Sequence, residues 1–419
     1  MQLRNFGNRF ENFSKEFRLL KAFYISELLI SIGGGLIGGL VVIYFLAIGL
    51  TPLQVSLIIS AAMLSFIFEI PTGAFADYYG RKASVLVAYF GIGVLYIIVP
   101  FFESFYLLLA IMFIAGVIHT FRSGAKDAWF IDFIKHNKKT NILQNALAKL
   151  QIISLLGAIP GAIVSSIILI YTATQGTPSV YTIKWLWIVS GFFALLSAFT
   201  YFFMGEEPYF KRQKIRIKEA IKKTFHDSVR GLKFSIGHEV IFFLIIANSL
   251  LAISGSVISI GWQQYLKQEL GVHEMYFGFV SAFLSAVSIL ALLGVGKFVK
   301  KLRQENYALA VLGIMISICI FTQALINSIV VAMIAFGTMF VLFDFSLPIY
   351  QNYFNKFVRS KTRATIISVA SMFTSLATVV GSLVFYGLVT QYFGIRTAYV
   401  VSAIVTLVSS LIYLAIKKK

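Results

Sequence analysis

Twelve mostly apolar stretches, each near or beyond the roughly 20 residues a helix needs to cross a hydrocarbon core, run through the chain with short polar turns between them. They fall at residues 20–49, 53–77, 82–102, 104–134, 141–172, 181–204, 239–266, 273–299, 306–326, 328–355, 362–391 and 396–416. In lipid every backbone N–H and C=O must find a partner within the protein, so each stretch is expected as a helix. With 58% hydrophobic and only 13% charged residues the chain lies outside the soluble range. Six spans, one long polar connection and six further spans predict an all-α integral membrane protein with 12 transmembrane helices in two six-helix bundles. The expected units are an N-terminal bundle at 1–204, a basic linker at 205–238 and a C-terminal bundle at 239–419.

The net charge of +19 reads as topology once the bases are sorted by loop. Of 36 Lys and Arg, thirty lie at the N-terminus, in the connections from even to odd spans and at the C-terminus. Only Lys184, Lys267 and Arg396 lie on the opposite side, and Arg122, Lys126 and Lys149 lie within spans. Both termini are therefore expected in the cytoplasm, the chain being a multi-pass protein of the plasma or inner membrane that binds no nucleic acid. The linker repeats Ile217, Ile221, Phe225, Val229 and Leu232 at helical spacing among nine bases, and the N-terminus repeats Phe6, Phe10, Phe13 and Phe17. Both read as amphipathic helices lying along the headgroups. The first twenty residues show no cleavable signal peptide, which leaves the first span to act as the insertion signal.

Cys319 is the only cysteine, so neither a disulfide framework nor a thiolate metal site is expected. Nucleotide-binding and phosphate-cradling signatures are absent, as are clustered metal ligands, and no nucleophile converges with a base. No cofactor is expected, and no enzyme. Gly33, Gly34, Gly35, Gly38 and Gly39 crowd the first span; they suit close helix packing and a hinge equally.

Residues 73–82 read Gly73-Ala-Phe-Ala-Asp-Tyr-Tyr-Gly-Arg-Lys82 and join spans two and three. Gly73, Asp77, Gly80, Arg81 and Lys82 match, in register, the G-x-x-x-D-x-x-G-R-[KR] loop, and in this the chain resembles the major facilitator superfamily. The resemblance implies duplicated six-helix units, a role for this loop as a conformational latch, and transport by alternating access. A weak internal echo agrees: span four ends Trp129-Phe-Ile-Asp-Phe-Ile134 and span ten ends Tyr353-Phe-Asn-Lys-Phe-Val358. Opening the cytoplasmic side is expected to part Asp77, Arg81 and Lys82 from partners at the end of span four and the start of span eleven, near Thr362. A degenerate copy of the loop at Gly296 to Arg303 lacks its Asp, so the switch is expected to be asymmetric.

Ionisable groups inside spans are costly and are functional candidates by default. Here they are Glu27, Glu69, Arg122, Lys126, Asp127, Lys149 and Asp344, with Asp132 nearer the cytoplasmic end. Asp127 and Lys149 are equally far in sequence from Lys138 in the turn between spans four and five, which puts them at matching depths and predicts that they can pair. Arg122 and Lys126, four apart on one helix face, repel unless an acid lies between them. Two readings follow, a structural network with Asp127, Glu69 or Glu27, or attraction of an anionic substrate. His119 reads as a packed helix residue, and Glu69 reads either as a proton carrier whose desolvated carboxylate binds protons more readily or as a permanently bonded neighbour of another helix. Trp262, Gln263 and Gln264 offer aromatic and amide groups to a cavity.

The lead-in Glu69-Ile-Pro-Thr-Gly73, the segment Ser123-Gly-Ala-Lys-Asp-Ala-Trp129 and the segment Arg363-Ala-Thr-Ile-Ile-Ser368 resemble bacterial members of the superfamily assigned to drug or metabolite efflux. Span five carries Leu156-Gly-Ala-Ile-Pro-Gly161 where proton-coupled antiporters usually carry Gly-Pro-x-x-Gly-Gly, and span four lacks an R-x-x-Q-G pattern. The resemblance implies proton-coupled efflux of a small amphipathic organic compound by a monomer in the lipid bilayer. A proton-coupled importer is the alternative within the fold, and a non-transporting receptor or scaffold the alternative outside it.

Overall fold

The computed structural model of the chain describes residues 2–204, 207, 210, 230, 232–301, 304–358 and 363–416, without the side chains of 2–16, 292, 293, 295–301 and 363–365. Among the described residues there are helices and no strands, and twelve helical segments are long and apolar enough to cross a membrane. They are Phe17–Gly38, Pro52–Tyr79, Arg81–Phe101, Phe105–His136, Thr140–Thr174, Ser179–Phe202, Glu239–Gln268, Glu274–Ala291, Glu305–Leu325, Ile329–Phe357, Ile366–Phe393 and Ile395–Ala415, called spans one to twelve below. Most of the linker helix expected at 205–238, the side chains of the Phe6, Phe10 and Phe13 stripe, and those of the degenerate loop after span eight lie outside the described residues.

Several spans are interrupted, and the local sequence accounts for where. Span one is helical over Gln2–Gly38 and resumes at Val41–Ala47. Span two runs as Pro52–Leu64, tightens to a 3₁₀ turn over Ser65–Phe68 and resumes at Glu69–Tyr79. Pro71 explains the tightening, since its ring crowds the carbonyl four residues back and it has no N–H for the helix ladder. Span four stops at Thr120, turns through Gly124 at φ +71° and restarts at Ala125. That backbone region favours glycine.

Within each half the spans bury aromatic and aliphatic side chains against one another. On the side of the chain termini the N-terminal half is held by Phe23, Trp129, Phe130 and Tyr201, all essentially inaccessible. Phe23 meets Trp129 at 4.9 Å between ring centroids, and Trp129 meets Tyr201 at 5.0 Å. Because Trp129 and Phe130 belong to the second segment of span four, their packing fixes the polar residues just before them. The glycines of span one divide their roles: Gly35 presses on the backbone carbonyl of Ala158 in span five, while Gly38 and Gly39 lie at the interruption.

Among the described residues, the hydrogen bonds that join the two halves lie on the face away from the termini. Ser166 Oγ accepts from the backbone N–H of Phe279 at 3.1 Å, Gln391 Oε1 from that of Leu53 at 3.2 Å, and Ser382 donates to the Ser56 carbonyl at 3.4 Å. The Ser179 hydroxyl donates to Glu274, which Lys267 neutralises at 3.0 Å. The tightest approach is between spans five and eight, where Gly278 sits directly on the carbonyl of Ala162 and on Ser165 and Ser166, leaving no room for a Cβ. Replacing it with Val is expected to hold this face apart. With Cys319 replaced by Ser and a single cysteine introduced at Ser382, thiol labelling from that face should be slow in the parent and faster in the Gly278→Val protein; equal rates would show that the contact does not govern closure.

Candidate functional site: a cavity at the helix breaks

The interruptions of spans two and four face each other. Thr72 donates its hydroxyl to the Phe68 carbonyl at 2.8 Å and lies 3.1 Å from the Thr120 hydroxyl, which donates in turn to the Val117 carbonyl at 2.6 Å. Just beyond, Ser123 donates to Glu69 Oε1 at 3.0 Å. The carboxylate that opens the second segment of span two is thus tied to the turn inside span four, and it is exposed rather than desolvated as expected above, since Phe68, Ser123 and Gly124 around it are exposed as well.

The break in span one is bound from the other half. Gln263 Oε1 accepts from the backbone N–H groups of both Val42 and Ile43 at 3.0 Å, and its Nε2 donates to the Gly38 carbonyl at 3.3 Å. A helix end leaves such groups without intrahelical partners, and here one amide from span seven supplies them. Gln264 instead accepts from the Tyr386 phenol at 2.9 Å and donates to Gln268 at 2.8 Å. Trp262 packs on Phe277 and Phe336.

Between these features lies a cavity of ≈ 550 Å³ whose wall includes Gly38, Glu69, Tyr96, His119, Ser259 and Gln263, with the remainder largely apolar. Of the residues singled out in the sequence, Gly38, Glu69 and Gln263 line it directly. His119 and Ser259 also line it. The sequence offers His119 as a packed residue and gives no reason to select Ser259, since a lone serine in an apolar helix satisfies itself on a backbone carbonyl, as this one does with Ser256 at 3.1 Å.

The charged residues of spans one and four are organised on the terminus side of the cavity. Glu27 is buried and accepts from Lys126 Nζ at 2.8 Å, so the base takes its acid from span one. Arg122 stands over the Tyr89 ring, 5.7 Å from its centroid, with Glu27, Tyr96 and Tyr201 as further electrostatic neighbours. Asp127 is in the first turn of the helix Ala125–His136 and exposed, a favourable place for an anion. Lys149 is half-buried on span five. Asp344 lies apart, half-buried in span ten next to Ser288.

At the membrane edge the loop from Gly73 to Lys82 is assembled around Gly80. This residue adopts φ +99° and ψ 150°, starting the helix of span three, and that region is essentially open to glycine alone. The backbone N–H groups of Arg81 and Lys82 donate to the carboxylate of Glu207, which returns after span six to cap this helix. Burial raises the Glu207 carboxyl above the ordinary range, against the pull of those two donors and the adjacent bases. The Arg81 guanidinium pairs with Asp132 at the end of span four, and the Lys82 ammonium donates to the carbonyls of Met204 and, at 3.2 Å, Phe202. Gly73 is exposed and Asp77 half-buried on the helix Glu69–Tyr79. The start of span eleven near Thr362, named above as its partner, lies outside the described residues.

Two bundles of six spans, broken helices at a shared cavity and a charged loop at one membrane edge define a membrane carrier of the secondary-transporter type. Comparison with known proteins makes the class specific. The family model of the Major Facilitator Superfamily matches residues 23–343 and 244–419, so the chain belongs to that superfamily, whose members are multi-pass membrane transporters rather than enzymes. A protein described as an uncharacterized MFS-type transporter, YxaM of Bacillus subtilis (strain 168), is 23% identical over 406 residues, covering 95% of this chain and 96% of that protein. Among solved structures, the fold is shared with a bacterial homologue of the human lysosomal transporter Spinster in an inward-facing, unoccupied conformation (TM-score 0.74, 14% identity, 95% of this chain and 96% of that one). It is shared too with the nucleoside transporter NupG (0.73, 12%, 95% and 98%) and a D-xylose-proton symporter (0.67, 17%, 95% and 97%).

A Cβ at position 80 would lie 2.7 Å from Glu207 Oε2. Gly80→Ala is therefore expected to lower thermal stability in detergent, with about 1–3 kcal/mol from backbone strain alone. Adding Glu207→Ala should recover only the part due to the collision. Full recovery in the double variant would mean that the positive φ carries no strain.

Proposed function

We propose that this protein is a proton-coupled exporter of a small amphipathic organic compound, working by alternating access with both termini in the cytoplasm. The observation that carries the reading is Glu69, an acid on the wall of a largely apolar cavity between two bundles whose connecting hydrogen bonds, among the described residues, lie at one end. With the bases placed by the positive-inside rule, that end is extracellular and the state described is inward-facing. Among the described residues Glu69 has the neutral donor Ser123 as its hydrogen-bond partner, whereas Glu27 is committed to Lys126. A carboxylate bonded only to a hydroxyl can take up a proton without stranding a buried cation, which leaves Glu69 as the coupling group and the Glu27–Lys126 pair as scaffold.

In this reading the amphipathic cargo lays its apolar part along Ile59, Met63 and Ile92, beside Glu69. Closure on the cytoplasmic side brings Asp77 to span eleven, while Arg81 keeps Asp132 in the state described and serves to hold spans three and four together. The latch element that changes partners is then Asp77 rather than Arg81.

Purified protein in vesicles, given a compound panel and a proton gradient of either sign, tests the proposal. Extrusion should follow the imposed gradient, and Glu69→Gln should remove that dependence while leaving downhill exchange. Accumulation with the gradient would instead identify an importer, and a Glu69→Gln protein with unchanged pH dependence would end the coupling role. We further propose that Asp127 and Lys149 form a pair across spans four and five. Exchanging their charges together should restore the transport lost in each single reversal; no rescue would count against the pair.

A further inference from the structure

On the C-terminal half, spans seven, ten and eleven enclose a second cavity of ≈ 560 Å³, separate from the one that holds Glu69. Its wall includes Asn248, Gln351, Asn355, Ser371 and Thr374, with Tyr350 and Phe354 as aromatic members, and among the described residues no carboxylate or base lines it. Asn248 lies nine positions into span seven and Thr374 eleven beyond Arg363, so both are roughly 14–17 Å from the terminus-side ends of their helices. Glu27, Lys126 and Glu69 lie at a similar depth, roughly 15 Å from the same side of the first half. Spans seven and eleven also bond to the N-terminal half near their far ends, through Gln263, Ser382 and Gln391. The two cavities thus reach similar depths in the two halves, the first with a carboxylate in its wall and the second with amides and hydroxyls.

Such a wall is selective in its chemistry. Asn248 donates one N–H to Thr374 Oγ1 at 3.0 Å, and Thr374 donates onward to the Ala370 carbonyl at 2.9 Å. An amide has two N–H groups and two lone pairs in all, and a hydroxyl both donates and accepts. Surfaces of this kind match a ligand whose own groups donate and accept side by side, which is the property of hydroxyls on neighbouring carbons. A carboxylate brings only acceptors and an ammonium only donors. The rings of Tyr350 and Phe354 add an apolar flank suited to the C–H face of a saturated ring.

We propose that this cavity is a binding subsite for the uncharged, polyhydroxylated part of the cargo, so that the transported class is glycoside-like: an apolar body with a hydroxyl-rich, sugar-type end. This rests on the transport reading for its purpose, though not for its test. The probe is 4-methylumbelliferyl β-D-glucopyranoside, compared with the tetrahydropyranyl ether of 4-methylumbelliferone, which keeps the ring and lacks the hydroxyls. Equilibrium binding to the full chain in lipid nanodiscs, without any gradient, is read by titration and by thermal shift. The glucoside should bind about tenfold or more tightly than the ether. Asn248→Ala and Ser371→Ala should each weaken the glucoside and leave the ether unchanged, with the ligand-free melting temperature serving as the check on folding for both. Equal binding of the two probes, no binding of either, or glucoside binding indifferent to both variants would overturn the subsite. Because no gradient is applied, loss of proton-driven export in vesicles with glucoside binding intact would refute the coupling proposal alone.

Discussion

Everything in this protein is subordinate to the rule that a backbone polar group in hydrocarbon must be bonded within the protein. Continuous helices obey it automatically; broken ones do not, and this chain breaks spans one, two and four near one cavity. The breaks are admissible because side chains beside them, from the same span or from another, bond the freed groups. Thr72 and Thr120 return their hydroxyls to carbonyls of their own spans and meet each other, and Gln263 binds three backbone groups of span one from the opposite half. Irregular backbone here is thus confined to where it is packed in protein or lines the cavity, and the same places gather the polar atoms available to a cargo.

A second consequence concerns charge. Acids and bases within the first half satisfy one another or lie near aromatic rings, as Glu27 does with Lys126 and Arg122 with Tyr89. Removing one member of a buried pair strands the other, at about 3–5 kcal/mol, so these residues are tied to the stability of the bundle whatever else they do. Glu69 differs in having a neutral partner. At the membrane edge, Glu207 and Asp132 hold the loop after span two from two directions, one through the backbone of Arg81 and Lys82 and the other through the Arg81 side chain.

The spans could be read from the sequence because hydropathy over twenty residues reports burial in lipid, and most of the expected limits fall within a few residues of those observed. The loop around Gly80 was equally readable, since its glycine spacing reflects a backbone conformation that other residues rarely adopt. What could not be read are the breaks. The turn through Gly124 lies in a polar stretch, His119 to Asp127, whose charges read as intramembrane candidates rather than as a helix break, and only Pro71 left a local trace of the 3₁₀ turn before it. Partnerships between distant spans were hidden for another reason. Lys126 had three acids within plausible reach, Glu27, Glu69 and Asp127, and side-chain spacing on one helix does not say which neighbouring helix lies against it. Glu207 looked like one of several charges in a polar connection, yet it ends at a helix start more than a hundred residues earlier in the chain.

The clamp formed by Gln263 bears on the temperature dependence of the conformational cycle. Separating the halves strips one amide from three backbone groups at once, in a contact that Gly39 makes too close for water, its Cβ position being 3.0 Å from the Phe277 carbonyl. Hydration can compensate only after the halves have parted. The step therefore meets an enthalpic barrier that is later repaid, and the rate of opening on that face should rise steeply on warming whatever the free-energy difference between the two end states.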